Sequence, residues 1–239
     1  MSPRRGVFVT GTDTGVGKTL VACCLLEILS AGGISTGAFK PVAAGARQTP
    51  DGWRNDDAER LMEHSSVAFD YGRVNPVTLP DAVAPHIAAA RVGVDLEIPP
   101  LVRAYEALSR RAECIVTEGA GGWLVPLGHG ESMADLAAAI GSPVLLVVGL
   151  RLGCLSHTLL TVEAIRRRGL EMAGWIGNCL DPAMPEFDAN VATLDEAVES
   201  PRLGLVPWIE AADHATRVAR AMDAMDPDQI RNLFAKALI

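Results

Sequence analysis

Apolar runs of strand length alternate with helical patterns along almost the whole of this 239-residue chain. The segment Val144–Leu150 is apolar throughout instead of at every second position, which is typical of a strand covered on both faces. Strands that alternate with helices predict a mostly parallel sheet with helices packed on both of its faces. Because ligands bind beyond the carboxyl ends of the strands in such folds, the residues that follow each strand are candidates for a functional site.

The same patterns predict the individual elements. Strands are expected at residues 7–10, 36–42, 114–117, 144–150, 172–178 and 203–206. Helices are expected at residues 18–30, 55–65, 99–111, 133–140, 157–168 and 188–199, with a last helix from about residue 226. No repeat or linker interrupts this order, so we expect a single α/β domain over residues 1–239. The stretches 43–54 and 70–84 are expected as irregular loops, long enough to be functional.

The composition excludes several classes of protein. The chain carries 21 Lys and Arg against 29 Asp and Glu, a net charge of −8, so we do not expect it to bind nucleic acid, which takes basic surfaces. A hydrophobic fraction of 49% excludes a disordered chain. The longest apolar run, residues 143–150, is far shorter than the roughly 20 residues of a membrane span. The first residues, MSPRRG, are too few for a secretory signal, so a cytoplasmic location is expected.

The cysteines and histidines suggest no metal centre. Neither C-x-x-C spacing nor histidines placed for zinc accompany the five cysteines at positions 23, 24, 114, 154 and 179. An odd number of cysteines also argues against a secreted disulfide scaffold, so we interpret them as small buried side chains in a reducing compartment. His129 and His214 are interpreted as loop residues without a specific role.

A glycine-rich segment at residues 11–19, GTDTGVGKT, directly follows the first predicted strand and opens the first helix. Glycines let backbone N–H groups approach phosphate oxygens closely, and the helix N-terminus adds positive charge. Lys18 would bridge phosphates and Thr19 would bind Mg²⁺, as in a P-loop NTPase. Five residues separate Gly11 from Gly17, where the standard P-loop pattern has four.

Two acidic residues are candidates for the metal. Asp57 lies in the segment NDDAE, where the alternative explanation is good: Asp56 and Glu59 form a capping box, and Asp57 is an ordinary acid in the first turn of the helix. Glu118 ends an apolar strand and meets the glycine-rich turn GAGG, which is where P-loop proteins hold Mg²⁺. A solvated acid at a strand end is the alternative for Glu118.

Lys40 lies near the end of the second predicted strand and is followed by Pro41. Its ammonium group would lie either in solvent or in the same crevice as the P-loop. In the second case it could neutralise charge on a transferring phosphoryl group. Two lysines around one phosphate would indicate transfer chemistry as well as binding.

The sequence resembles the dethiobiotin synthetases, the ATP-dependent ring-closing enzymes of biotin synthesis. The five-residue P-loop spacing is itself a mark of that family. The resemblance runs in order from residue 9 to residue 208 and rests on the segments VTGTDTGVGKT, FKPVAAG, RNDDA, PHIAAA, TEGAGGWLVPL, LLVVGLRLGCLSHTLLT, GWIGN and LGLVPW.

The resemblance implies a reaction and a set of ligands. Members of the family use CO₂ to carboxylate 7,8-diaminopelargonic acid to a carbamate, ATP phosphorylates the carbamate, and the second amine closes the ring with release of ADP and phosphate. ATP and Mg²⁺ are therefore the implied cofactors. The family also implies a homodimer in which the segment 153–155 of one subunit completes the active site of the other, although an ordinary helix start capped by Ser156 explains the same residues.

The residue roles that the resemblance implies fall into four groups. The implied catalytic residues are Lys40 and Lys18, and the implied metal ligands are Thr19, Asp57 and Glu118. The implied nucleotide-binding residues are Gly15, Val16, Gly17, Lys18, Thr19, Leu20, Asp57, Glu118, Gly119, Ala120, Gly121, Asn178, Val206, Pro207 and Trp208. The implied substrate-binding residues are Thr14, Lys40, Ala44, Gly121, Gly153, Cys154 and Leu155. Two of these depart from the family pattern: Gly15 stands where some members have an acidic residue, and Ala44 where others have a hydroxyl group.

A partner-binding ATPase switch of the ParA/MinD type is the alternative function. Such proteins share the expected fold, but they usually carry an extra lysine early in the P-loop, where this chain has Thr12. The membrane-binding members end in a basic amphipathic helix, whereas residues 226–239 hold one Lys and one Arg among acidic residues. A cobyrinate-type amidotransferase is excluded because the chain leaves no room for a glutaminase domain.

Overall fold

A computed structural model of the chain describes residues 6–210 and 213–236. The strands are β1 (Gly6–Gly11), β2 (Thr36–Phe39), β3 (Val42–Ala44), β4 (Arg47–Thr49), β5 (Gly52–Arg54), β6 (Val77–Leu79), β7 (Cys114–Glu118), β8 (Pro126–Gly128), β9 (Glu131–Ser132), β10 (Val144–Leu150), β11 (Met172–Cys179) and β12 (Arg202–Val206). The helices are α1 (Lys18–Ala31), α2 (Asp56–Glu63), α3 (Tyr71–Val74), α4 (Pro85–Arg91), α5 (Ile98–Ser109), α6 (Met133–Ile140), α7 (Cys154–Arg167), α8 (Phe187–Ala197), α9 (His214–Met222) and α10 (Pro227–Lys236).

Six of these strands form one parallel sheet in the order β12-β11-β10-β1-β7-β2, which confirms the predicted fold class. The register aligns the carboxyl ends of its central strands. Val9 of β1 lies opposite Glu118 of β7, and Phe39 of β2 lies opposite Thr117. The loops that follow β1, β2 and β7 therefore leave the sheet at the same edge.

Helices cover the sheet on both faces, as the unbroken apolar pattern of β10 predicts. Successive β10 side chains point to opposite faces, and they enter two different hydrophobic clusters. Leu145 packs in the cluster that contains Leu25 of α1, and Leu146 packs in the cluster that contains Val162 of α7 and Leu194 of α8. The sheet is thus the middle layer of three.

The predicted strand at residues 36–42 is wrong in its second half. The structure ends β2 at Phe39 and starts a separate strand, β3, at Val42. Lys40 leaves the sheet because its N–H donates to the carbonyl oxygen of Val74, and Pro41 has no N–H with which to continue the ladder. The strand β3 pairs with β6 instead.

The segments 43–54 and 70–84 are more ordered than the predicted loops. They hold part of the β3–β6 pair, the β4–β5 hairpin and the short helix α3. These strands have three residues each, too few for a periodic pattern to reveal. The prediction of a loop at His214 is also wrong, since this residue begins α9, where Asp213 caps the helix by accepting a hydrogen bond from Thr216 N.

The two ends of the chain are described in part. The helix predicted from about residue 226 is confirmed as α10. Residues 1–5, on which the expectation about a secretory signal depends, and residues 237–239 lie outside the described residues. Within the described ranges, no helix is long and apolar enough to cross a membrane.

We predict that Leu145→Ala and Leu146→Ala each lower the free energy of unfolding by about 2–5 kcal/mol, because both side chains are fully buried on opposite faces of β10. Urea denaturation of the two variants measures the effect. A large loss for one variant and none for the other would contradict a sheet covered on both faces.

Candidate active site

The P-loop between β1 and α1 takes the left-handed conformation that favours glycine at two positions. Gly15 and Gly17 have φ angles of 75° and 97°. A Cβ atom on Gly17 would also lie 2.3 Å from Nδ2 of Asn178. This amide group donates a hydrogen bond to the carbonyl oxygen of Val16 at 2.9 Å. The bond attaches the P-loop to the end of β11.

Lys18 folds back over the P-loop. Its Nζ atom donates a hydrogen bond to the carbonyl oxygen of Asp13 at 3.0 Å, and the side chain is buried. Burial lowers the pKa of Lys18 from 10.5 to about 8. The start of α1 has no side-chain cap among the described residues, so its first N–H groups are available to an anion. The loop thus combines an ammonium group and helix N–H groups in one concave surface.

Lys40 and Glu118 form a buried ion pair at the carboxyl edge of the sheet. Nζ of Lys40 lies 2.5 Å from Oε1 of Glu118, and the two side chains are 4% and 1% exposed. The same ammonium group lies 3.2 Å from Oδ2 of Asp57. Thr19 donates its hydroxyl hydrogen to Oε1 of Glu118 at 3.0 Å. Four side chains from four separate segments of the chain therefore meet at one point.

The charged side chains in this group shift one another's pKa values. Burial by itself would lower the pKa of Lys40, but the carboxylates of Glu118 and Asp57 outweigh burial and hold this pKa above its ordinary value. Burial would raise the pKa of Asp57, but Lys40 and the Thr19 hydroxyl outweigh it and hold the pKa of this carboxyl below its ordinary value. Lys40 and Asp57 are thus kept charged at neutral pH.

The backbone around Lys40 explains why its side chain faces the crevice and not solvent. Its N–H donates to Val74, and its carbonyl oxygen accepts a hydrogen bond from Nδ2 of Asn75 at 2.6 Å. The helix α3 and the turn after it therefore hold the residue on both sides. This decides between the two positions that the sequence left open for Lys40.

The structure does not form the capping box between Asp56 and Glu59 that the sequence offered, although Asp57 does lie in the first turn of α2. The residue that caps α2 is Asn55, whose side-chain oxygen accepts hydrogen bonds from Asp57 N and Ala58 N. Asp56 and Glu59 instead both pair with Arg47. Asp57 is left to point at Lys40.

The oxygen atoms at this point match the ligands that Mg²⁺ prefers. Thr19, Asp57 and Glu118 offer a hydroxyl group and two carboxylates. Oε2 of Glu118 is buried and has no hydrogen-bond partner among the described residues, an arrangement that is costly unless something binds this atom. The residues present therefore fit a magnesium ion.

A cavity of about 370 Å³ lies between the P-loop and this group. Three of its lining residues, Arg60, His214 and Arg217, were not predicted. Arg60 lies one helical turn after Asp57, so helical spacing could have indicated it. The helix α9, which carries Arg217, had to be recognised first, and its capping residue Asp213 was the available signal.

The residues proposed to bind the base lie in an adjoining cavity. Asn178, Pro207 and Trp208 line it, and Trp208 is half exposed. Leu20 and Arg217 line both this cavity and the one beside the P-loop, so the two cavities adjoin at these residues. The fourth predicted residue, Val206, is buried in the core just before Pro207.

The residues proposed to bind substrate separate into two groups. Thr14, Ala44 and Gly121 line a third cavity together with Ala120 and Lys40. The other three residues, Gly153, Cys154 and Leu155, lie at the start of α7 and outside the cavities described above. The helix starts at Cys154, earlier than predicted, with Gly153 at a φ of 95° as its cap.

Gly119 lies behind the site rather than in it. Its N–H donates to the carbonyl oxygen of Val9, and a Cβ atom there would lie 3.1 Å from the ring of Phe8. A side chain at this position would push against the β1 core. The close approach of β7 to β1 depends on this glycine.

We predict that Lys40→Met lowers the free energy of unfolding by about 3–5 kcal/mol, because Glu118 is then buried without its partner. The double variant Lys40→Met/Glu118→Gln should lose about 1–3 kcal/mol less than the sum of the two single losses. Urea denaturation measures all three. Strict additivity would show that the pair is not coupled.

Comparison with known proteins identifies the family. A family profile described as an AAA domain matches residues 5–216. The ATP-dependent dethiobiotin synthetase BioD of Aromatoleum aromaticum is 48% identical over 215 residues, which cover 90% of this chain and 96% of that protein. The enzyme of the same name from Xanthomonas axonopodis pv. citri is 46% identical, over 88% of this chain and 94% of that protein. The one from Pseudomonas paraeruginosa is 48% identical, over 89% of this chain and 93% of that protein.

Solved structures share the fold at much lower identity. MinD in the MinC:MinD cell division complex of Aquifex aeolicus aligns with a TM-score of 0.61 at 15% identity, over 97% of this chain and 96% of that one. A ParA family ATPase from Chlorobium tepidum aligns with a TM-score of 0.54 at 11% identity, over 98% and 99% of the two chains. These likenesses confirm the P-loop NTPase fold and say nothing about activity. The identity to the curated relatives, over nine-tenths of the chain, shows that it belongs to the ATP-dependent dethiobiotin synthetase family.

Proposed function

We propose that this chain closes the ring of dethiobiotin: it joins 7,8-diaminopelargonic acid and CO₂ at the expense of ATP, with ADP and phosphate as the other products, as a step of biotin biosynthesis. The names of its relatives support the product, dethiobiotin, and the dependence on ATP. The observation that carries the chemistry is the buried meeting of Lys40, Glu118, Asp57 and Thr19 beside the P-loop.

The P-loop holds the triphosphate. The N–H groups at the start of α1 and the ammonium group of Lys18 bind its oxygen atoms, together with the backbone of residues 15–20. Thr19, Asp57 and Glu118 hold Mg²⁺, which supplies neutralisation of phosphate charge when it is bound. Arg60 and Arg217 line the same cavity and add positive charge to it.

Lys40 acts in the transfer of the γ-phosphoryl group to the carbamate. One amine of the substrate attacks CO₂ and forms a carbamate, and a carbamate oxygen then attacks the γ-phosphorus as the bond to ADP breaks. Lys40, held by Glu118 and Asp57, stabilises the negative charge that passes between the two oxygens. The second amine attacks the carbamate carbon, phosphate leaves, and the ring closes. Holding the reacting groups in line can lower the activation free energy by roughly 7–11 kcal/mol.

Asn178 and Trp208 fit the base. The Nδ2 group of Asn178 is already used by the P-loop, which leaves its oxygen to accept a hydrogen bond from the amino group of adenine. The half-exposed ring of Trp208 and the ring of Pro207 offer apolar faces for a purine. The expected nucleotide is therefore ATP.

The start of α7 completes the site from a neighbouring subunit. The left-handed cap at Gly153 opens a helix of 14 residues, a position that favours a carboxylate. Three leucines at the beginning of this helix and before it, Leu152, Leu159 and Leu160, are exposed, Leu152 to 86%. An exposed apolar surface of this kind supports a homodimer. The five free cysteines support a reducing, cytoplasmic location.

Purified protein with ATP, Mg²⁺, bicarbonate and 7,8-diaminopelargonic acid should release phosphate and dethiobiotin in equal amounts. Phosphate release and dethiobiotin are measured in the same samples, with and without the diamine. Phosphate release that does not depend on the diamine would overturn the proposal and favour an ATPase switch of the MinD and ParA type.

Asp57→Asn and Asp56→Asn form a matched pair for the metal site. Both residues lie in the first turn of α2, but only Asp57 contacts Lys40, and Asp56 pairs with Arg47 at the surface. We expect Asp57→Asn to lower kcat at least 100-fold, about 2.7 kcal/mol of activation free energy, and Asp56→Asn to stay within about twofold of the wild type. Equal losses of kcat in the two variants would show that Asp57 has no specific role in the metal site.

A further inference from the structure

A second cluster of possible ligands lies beside the phosphate cavity. Cys23, His64 and His214 each offer one ligand atom, and these three atoms lie within 4.8 Å of one another. Cys23 lies in α1, His64 ends α2, and His214 begins α9. Spacing along the chain gives no sign of the cluster, which is why the sequence showed no histidines placed for zinc beside the cysteines.

The hydrogen bonds of the two histidines indicate which of their ring nitrogens could bind a metal. Nδ1 of His64 lies 2.8 Å from Oε1 of Glu27, an arrangement in which Nδ1 carries the hydrogen and Nε2 keeps its lone pair. A carboxylate behind a histidine is the usual support of a histidine that binds a metal. Nε2 of His214 is buried and finds no hydrogen-bond partner in the part of the chain that the structure describes.

Burial acts differently on two of the three ligands. Burial, with Arg60 and His64 nearby, lowers the pKa of His214, which favours the neutral imidazole that a metal binds. Burial raises the pKa of the Cys23 thiol, so a bound cation must displace the thiol hydrogen against this shift. The two rings lie 5.4 Å apart between centroids and are nearly perpendicular, so they do not stack against each other.

We propose that Cys23, His64 and His214 bind a transition-metal ion of the zinc class, with Glu27 supporting His64. One thiolate and two imidazoles match zinc and cobalt, whereas Mg²⁺ prefers oxygen. A tetrahedral site with zinc bond lengths has ligand atoms about 3.4–3.7 Å apart, so the three side chains need to close by about 1 Å. The thiol proton passes to solvent when the metal binds, and the fourth position is open to water.

The position of this site means that a bound metal ion would connect three helices of the fold. The three ligands come from α1, α2 and α9, and each of these helices also lines the phosphate cavity, through Thr19, Asp57 and Arg217. An ion bound at the cluster ties the three helices together at the end of the nucleotide site. We therefore expect the metal to raise the thermal stability of the protein.

Cobalt(II) is the probe, because a cobalt–thiolate bond gives a near-ultraviolet charge-transfer absorption that oxygen ligands do not. Protein without a histidine tag is titrated with Co²⁺ in excess Mg²⁺, so that the oxygen site is filled. Cys23→Ser and Cys24→Ser are the matched variants. Cys24 is the next residue of the same helix and is equally buried, but its sulfur faces the carbonyl oxygen of Val218.

We expect the wild type and Cys24→Ser to show the band at one ion per chain, with a higher Tm when Co²⁺ or Zn²⁺ is present. Cys23→Ser should lose the band, and His64→Gln should weaken Co²⁺ binding at least tenfold. His64 is partly exposed, so this variant remains informative if Cys23→Ser fails to fold, which circular dichroism detects. Absence of the band in the wild type, or its persistence in Cys23→Ser, would overturn the proposal.

Discussion

The parallel direction of all six strands in the central sheet is the constraint on which the site depends. Parallel strands bring every connection that follows a strand to one edge, and the register of β1, β7 and β2 aligns those ends to within a residue or two. The P-loop, Glu118 and Lys40 consequently meet although they come from distant parts of the chain. Helices on both faces bury the sheet, so this edge is the place where charged groups emerge.

The charged groups at that edge are held in place by one another. A lysine and a glutamate removed from water are unfavourable unless each finds its partner, and here Lys40 and Glu118 do so at 2.5 Å. Oε1 of Glu118 also accepts the Thr19 hydroxyl, which links the first turn of α1 to β7. The polar site is thereby preorganised before any ligand arrives, which is how enzymes stabilise charge without reorganisation during the reaction.

The fold alone does not separate an enzyme from a switch. MinD and ParA ATPases share the architecture at 11–18% identity, so the fold by itself assigns no activity. What distinguishes the chain is close similarity to the dethiobiotin synthetases along nine-tenths of its length, together with a second lysine paired to the buried carboxylate of Glu118. The proposed activity depends on those residues and not on the sheet.

The sequence by itself determined the parallel sheet, the P-loop and the position of Glu118, because each is a continuous segment whose pattern is local. Only the tertiary structure decided where Lys40 points, since Val74 and Asn75 hold its backbone from a segment that looked like a loop. It also decided that Nδ2 of Asn178 lies directly against Gly17 and that Cys23 lies close to His64 and His214. Those contacts join residues far apart in the chain, and no local pattern records a distance that only the packing of helices on a sheet creates.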